Sequence, residues 1–349
     1  MVEWKKLGEV ANLVRGKVIS KDYIRDFEGI YPVYSSQTAN KGLMGCINNY
    51  MFDGEYLTWT TDGAYAGTIF RRKGKFNITN VCGLIDIHEN DLDQNFLYYW
   101  LSVTAKKYVI EGMGNPKLMS NVASSIEIPI PSLEEQERIV GILDTFTASI
   151  NNLEAQLEQR QKQYEYYRDK LLDIEGKEGV EMKIENFCQL KAGKSVSAEE
   201  ISEDYNENNY PCIGGNGIRG YVPFYSHEGE YPIIGRQGAL CGCVNWITGR
   251  FYATEHAVVA LGNNDINQRF LFYLFENADL NQYKTQGAQP GLSVTKLNEI
   301  KFRIPTLARQ QEIVSILDTF EASIANLEAQ LEQRQKQYEY YREKLLTFE

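Results

Sequence analysis

A long internal repeat constrains this chain more than any other feature. The stretch Leu153–Arg168, LEAQLEQRQKQYEYYR, recurs unchanged as Leu327–Arg342, an offset of 174 residues. Extending the comparison to Ile139–Leu172 against Ile313–Leu346 leaves only four differences, at 141/315, 147/321, 151/325 and 169/343. A repeat of this length dictates architecture, because each copy must adopt the same local structure. The flanking regions repeat more faintly. Tyr31-Pro32 answers Tyr210-Pro211, and Gly63-Ala64-x-x-Gly67 answers Gly238-Ala239-x-x-Gly242. Phe96-Leu97 answers Phe270-Leu271, Pro116-x-Leu118 answers Pro290-x-Leu292, and Ile130-Pro131 answers Ile304-Pro305. The order is globule, spacer, globule, spacer, with boundaries at 1–131, 132–176, 177–305 and 306–349. Near-identical spacers imply one shared mechanical job, and diverged globules imply different targets.

The spacers read as helices. Pro131 ends the preceding segment, Ser132 is placed to cap, and Glu135 completes a Ser-x-x-Glu capping box. In the second copy Thr306 caps but Arg309 replaces the glutamate, so the box is lost. Apolar residues follow a four–three spacing through Ile139, Leu143, Phe146, Ile150, Leu153 and Leu157, and again through Ile313, Leu317, Phe320, Ile324, Leu327 and Leu331. That period, continued to 171 and 345, is a coiled-coil seam. Arg160 and Arg334 interrupt it as polar residues of the kind that fix register. Matched seams on a chain that must return predict an antiparallel pair. The expected fold is therefore α+β: two mixed α/β globules separated by two long helices in an antiparallel coiled coil, pseudo-two-fold symmetric.

Within the globules, Tyr31–Tyr34, Tyr56–Thr60, Gly67–Arg71, Val81–Ile87, Tyr231–Ile234 and Ala257–Leu261 read as strands between Gly- and Asn-rich loops. Short aromatic helices are expected near Asn95–Leu101 and Asn267–Phe275, and Lys177–Lys183 reads as a charged linker.

The net charge of −11 argues against a nucleic-acid binder until it is divided. Residues 1–131 carry a net charge of 0, 132–176 carry −5, 177–305 carry −3 and 306–349 carry −3. Near-neutral globules cannot supply the phosphate-driven bulk of DNA affinity, so a DNA ligand implies a more basic partner holding the backbone. No apolar run suggests a signal peptide or a membrane span, and the six cysteines form no framework, so a cytoplasmic protein with reduced thiols is expected.

Short catalytic motifs are weak. Gly215-x-Gly217-x-x-Gly220 matches a dinucleotide fingerprint, but the residues after it read as strand rather than the required helix. Ala192-Gly193-Lys194-Ser195 lacks the first glycine of a phosphate-binding loop. Cys241-x-Cys243 has no second pair, so no metal is expected. No Asn/Asp-Pro-Pro-aromatic methyltransferase motif occurs, and no nucleophile–base arrangement stands out among three histidines.

The duplication, together with Ile128-Pro129-Ile130-Pro131-Ser132-Leu133-Glu134-Glu135-Gln136-Glu137-Arg138-Ile139-Val140 and its echo Phe302–Val314, resembles the specificity subunit of type I restriction–modification systems. The resemblance covers essentially the whole chain. It implies two target-recognition domains that read double-stranded DNA without catalysis. It also implies two methyltransferase subunits that bring S-adenosylmethionine and the basic clamp, and optionally two endonuclease/translocase subunits. Base readout then falls to polar loop residues. In the first globule these are Gln37, Asn40, Lys41, Thr61, Asp62, Arg71, Asn115 and Lys117. In the second they are Lys194, Asn216, Arg219, Arg236, Gln237 and Gln289. The competing reading is a symmetric helical adaptor that joins proteins without reading DNA.

Overall fold

The computed structural model describes residues 2–111, 114–174, 179–238, 241–285 and 290–348. The chain divides into two compact units, one formed by Met1–Asn152 with Leu331–Glu349 and the other by Leu153–Gln330. Each contains a globule and half of each of two long helices, Leu133–Leu172 and Leu307–Leu345. At 1.5 Å per residue each helix is roughly 60 Å long.

Unit 1 holds a six-stranded sheet in the spatial order Ala11–Arg15, Cys82–Ile87, Phe52–Thr60, Ile69–Ile78, Glu28–Tyr34, Leu43–Ile47. Unit 2 repeats it as Cys188–Ala192, Ala257–Gly262, His227–Gly235, Val244–Ala253, Tyr210–Gly214, Gly217–Val222. All neighbours pair antiparallel except Val33-Tyr34 with Asn77-Ile78, and Cys212-Ile213 with Tyr252-Ala253, which are parallel. Both strands of each parallel pair run on into the loops at one end of the sheet.

One aromatic helix covers each sheet: Gln94–Thr104, capped by Asp93, and Gln268–Asn277, capped by Asn267. Phe96, Leu97, Tyr99 and Leu101, like Phe270, Leu271, Tyr273 and Phe275, are almost wholly buried. Two-stranded ribbons, Glu3–Lys6 with Glu127–Ile130 and Val180–Lys183 with Lys301–Ile304, carry the chain into the long helices. The expected charged linker is therefore corrected from Val180 onward. A half-exposed ribbon can accommodate charges along its outer face, so composition alone mistook it for a loop.

The helices pack in opposite directions within each unit. In unit 1 Phe146 stacks on Tyr341 with ring centroids 5.3 Å apart, while Leu346 joins the core around Ile139 and Leu143. In unit 2 Tyr167 stacks on Phe320 at 5.5 Å, and Leu171 and Leu172 lie in the core with Ile313 and Leu317. Burial follows the four–three spacing: Ile139, Leu143, Ile313 and Leu317 are fully buried, and Phe146, Ile150, Leu153, Leu157, Phe320, Ile324, Leu327 and Leu331 are half-buried. The arginines in the seam take a different part from the register-fixing polar contact expected. Arg160 lies over the Phe320 ring and Arg334 over the Phe146 ring, each 5.6 Å from the centroid. A long aliphatic stem covers apolar surface while its head remains at the rim.

The capping box is only half formed. Ser132 Oγ accepts from the Glu135 amide at 3.4 Å, but the Glu135 carboxylate turns to Arg138 at 2.6 Å. Thr306 accepts from the Arg309 amide at the same distance, and Arg309 pairs with Glu312. What ties each helix start to its globule is a buried glutamine. Gln136 Nε2 donates to the carbonyls of Asp91 and Pro131, and its Oε1 accepts from the Asp93 amide. Gln310 repeats this with Asp265, Pro305 and Asn267. Both side chains are wholly buried and fully bonded. Replacing Gln310 by Leu should destabilise unit 2 by about 1–3 kcal/mol, since it strands the buried Pro305 carbonyl and removes the bonds to the half-buried backbone of Asp265 and Asn267. Chemical denaturation would register this as an earlier unfolding transition, and a change below roughly 0.5 kcal/mol would refute the latch.

Candidate nucleic-acid interface

The loops at one end of each sheet are held by a set of backbone hydrogen bonds that is the same in both units. In unit 1 Gly16 N–H donates to Cys82 O, Lys17 to Ile78 O, Thr79 to Tyr34 O, Thr61 to Val81 O, Gly63 to Pro116 O and Leu118 to Thr61 O. In unit 2 the set is Gly193 to Ala257 O, Lys194 to Ala253 O, Thr254 to Ile213 O, Arg236 to His256 O, Gly238 to Pro290 O and Leu292 to Arg236 O. The approach is close enough to require glycine at one point. A Cβ on Gly16 would sit 2.2 Å from the Ile78 carbonyl oxygen, and one on Gly193 would sit 2.0 Å from that of Ala253. The backbone of the rim is thus constant, and the side chains on it differ.

In unit 1 the rim gathers Asp62, Lys117 and two cations the sequence reading missed. Asp62 lies 3.9 Å from Arg15 Nη2 and 3.9 Å from Lys117 Nζ, and Thr61 Oγ1 donates to it at 2.6 Å. Thr61 is fully buried, so it positions Asp62 rather than facing solvent. Arg15 also donates to the Asn80 carbonyl, and Lys17 bridges to Thr79. Asn115 is exposed beside Pro116. Gln37, Asn40 and Lys41 are exposed on the loop after Tyr34, where Gln37 donates to the Leu43 carbonyl. Lys17 could have been found by matching Arg15-Gly16-Lys17 to Ala192-Gly193-Lys194, an offset of 177 instead of 174.

Arg71 lies elsewhere. It pairs with Asp144 of the first long helix at 3.1 Å and stacks over Tyr98 and Tyr99, and Tyr99 Oη donates to the same Asp144 at 2.5 Å. Unit 2 builds the same clamp from another place in the chain. Tyr273 donates to Asp318 at 2.6 Å, and the guanidinium comes from Arg269, which also binds Glu321. Burial first, then the bond to the carboxylate, keeps both phenols protonated well above the ordinary tyrosine range. At this position, which differs between the spacers, Glu321 binds Arg269, and Thr147 lies 3.3 Å from Tyr99 Oη.

In unit 2 Asn216, Gln237 and His256 line a cleft of about 360 Å³ with Gly215 and Gly238. Arg236 Nε, His256 Nδ1 and Glu255 Oε2 beside it are buried without hydrogen-bond partners, leaving donors and an acceptor for a ligand or water. Arg219 is exposed on its strand, and Lys194 is exposed where the edge strand leaves the sheet. Gln289 lies outside the described residues.

These residues can donate to and accept from base edges, and nothing among them resembles a nucleophile. Desolvation raises two of the buried thiols, Cys82 to about 11 and Cys188 to about 12. Among the described residues no cluster of His, Cys, Asp and Glu could hold a metal ion, and no helix is long and apolar enough to cross a membrane.

Comparison with known proteins bears on the family and the fold. The family described as Type I restriction modification DNA specificity domain matches residues 1–161 and 177–335. A type I specificity subunit of Mycoplasma pneumoniae is 31% identical over 98% of this chain and 97% of its own length. The EcoprrI specificity subunit of Escherichia coli is 47% identical, over 55% of this chain and 50% of its own. The crystal structure of a type I S subunit from M. genitalium superposes with a TM-score of 0.73, covering 100% of this chain and 97% of that one at 18% identity. The chain belongs to the type I restriction–modification specificity subunits.

Proposed function

We propose that this chain reads a bipartite duplex, each unit recognising one half-site of about 3–5 bp, with the half-site centres about one helical turn apart and a gap of about 6 bp. The observation that carries this reading is the repeated rim: one backbone lattice, twice, with different polar side chains on it. A constant scaffold with variable donors and acceptors is what two distinct base sequences require. In unit 1 Asp62 accepts from exocyclic amines while Arg15 and Lys117 offset its repulsion from phosphate. In unit 2 Asn216 and Gln237 offer paired donors and acceptors.

The long helices dock two methyltransferase subunits that carry S-adenosylmethionine, and optionally two endonuclease subunits. Tyr166 and Tyr340, 59% and 60% exposed at matching places in the repeated segment, support a surface used twice. The chain itself performs no chemistry.

Co-expression with its methyltransferase partner, followed by sequencing of modified adenines, tests the reading. A two-part motif is expected, and binding without preference between duplexes would favour the adaptor alternative. Gln237→Leu should relax one position of one half-site by about 5–150-fold and leave the other half-site untouched. Changes in both half-sites, or in neither, would separate Gln237 from base readout.

A further inference from the structure

Unit 1 hides a charge at a corner that unit 2 fills with apolar side chains. Arg72 is 5% exposed, its guanidinium 3.5 Å from the centroid of Tyr34 and 4.5 Å from that of Phe70. Its Nε donates to Thr58 Oγ1 at 3.1 Å, but Nη2 is buried with no partner. Desolvation lowers its pKa, the sign that this site is unfavourable for a cation.

The strand registers identify the counterparts in unit 2. Arg72 faces Tyr56 as Ile247 faces Tyr231, and Thr58 faces Phe70 as Ile233 faces Asn245. Tyr34 corresponds to Ile213, since each accepts the equivalent threonine amide. Unit 2 therefore closes the same corner with Ile213, Ile233 and Ile247. The fold has no need of an arginine there, and a half-satisfied buried cation is costly.

The unpartnered nitrogen lies under a loop that is also peculiar to unit 1. A Cβ on Gly42 would be 3.1 Å from Arg72 Nη2. Asn40, Lys41 and Gly42 are successively left-handed, with φ of 48°, 52° and 86°, and the Lys41 side chain disfavours it. This loop leaves the sheet after Tyr34 and returns at Leu43, whereas unit 2 turns directly from Gly214 to Gly217. At this corner unit 1 combines the orphan cation, the left-handed turn and the longer loop, where unit 2 has isoleucines and a direct turn.

We infer that Arg72 is a concealed DNA contact of unit 1: on engagement with duplex the turn Ala39–Gly42 lifts, and Nη2 donates to a nucleic-acid acceptor, a guanine O6/N7 edge that would specify sequence or a phosphate oxygen that would set position. The inference rests on the DNA-reading assignment above. A ligand shifts such a turn because only the open state satisfies the buried donor and releases the strain.

The test uses the full chain with its methyltransferase partner and Arg72→Met, which keeps the apolar body and removes the charge. Cognate duplexes carry 7-deazaguanine at single guanines of the unit 1 half-site, or methylphosphonate at single phosphates. The variant should keep or raise the thermal midpoint and bind cognate duplex about ten-fold more weakly, near the low end for one base contact. One substitution should penalise the wild type and not the variant; a guanine substitution identifies the base edge, and a methylphosphonate identifies the backbone. Equal penalties in both proteins, or a lowered midpoint with unchanged affinity, would overturn the inference. An arm needing no variant is amide exchange at Ser35–Leu43, which should change with cognate duplex and not with a scrambled unit 1 half-site. No change with either duplex overturns the lifting turn. If the wild-type complex fails to distinguish cognate from fully scrambled duplex, the DNA-reading assignment itself falls, and the inference with it.

Discussion

A variant lengthened by four residues in both long helices, after Gln156 and after Gln330, should modify a target whose gap is one to two base pairs wider. Both half-site sequences should stay unchanged. Four residues add about 6 Å of helix, and B-DNA rises about 3.4 Å per base pair. The insertion points fall within the repeated segment, where the seam residues around them are half-buried and no globule residue is required. Both rims are built wholly from globule loops, so lengthening the helices leaves every proposed base contact in place. At the original spacing one half-site is misplaced, and recognition there should fall by about 1–3 kcal/mol for each base pair read wrongly. Sequencing of modified DNA distinguishes the outcomes. An altered half-site would mean that the helices shape the heads; an unaltered gap would mean that they are not the ruler.

The second large effect concerns the partner. The purified chain should show no methyl transfer, cleavage or nucleotide hydrolysis, and should bind cognate duplex at least about 100-fold more weakly than the assembled complex. The rim cations are few, and in unit 1 Arg15 and Lys117 are shared with Asp62, so little charge remains for phosphate. Each phosphate neutralised contributes a salt-dependent increment, and loss of a basic clamp removes most of them. Titration at two salt concentrations checks this: the complex should show the steeper salt slope. Equal affinity for chain and complex would place the backbone contacts on this chain, and methyl transfer by the isolated chain would sink the non-catalytic reading.

Much of the architecture is legible in the sequence because it depends on periodicity. The seam through Ile139, Leu143 and Phe146 is a statement about one helix face, and repetition at 174 made it unambiguous. The short aromatic helices near Asn95–Leu101 and Asn267–Phe275 were legible too, and the structure adds their caps, Asp93 and Asn267. Strand Val244–Ala253 was not, since its exposed Thr248, Gly249 and Arg250 break the alternation that marks a strand. Arg71 shows the limit for sites. As a loop-proximal arginine it reads like a base contact, yet it clamps Asp144 of the first long helix, a partner 73 residues away.

The sequence by itself determined the two-globule, two-helix plan and the antiparallel sense of the seam, because these follow from local period and self-similarity, and its resemblance at the Ile128–Val140 junction pointed to the family. Only the tertiary structure decided which polar residues share a rim. Asp62, Arg15 and Lys117 meet through bonds among loops remote in sequence, and the match of Lys17 to Lys194 is hidden by a shifted offset. It likewise decided that Arg72 is buried over Tyr34 while Ile247 fills the same corner of unit 2. Burial and satisfaction of a polar atom are properties of the surrounding packing, and no residue carries them in its own identity.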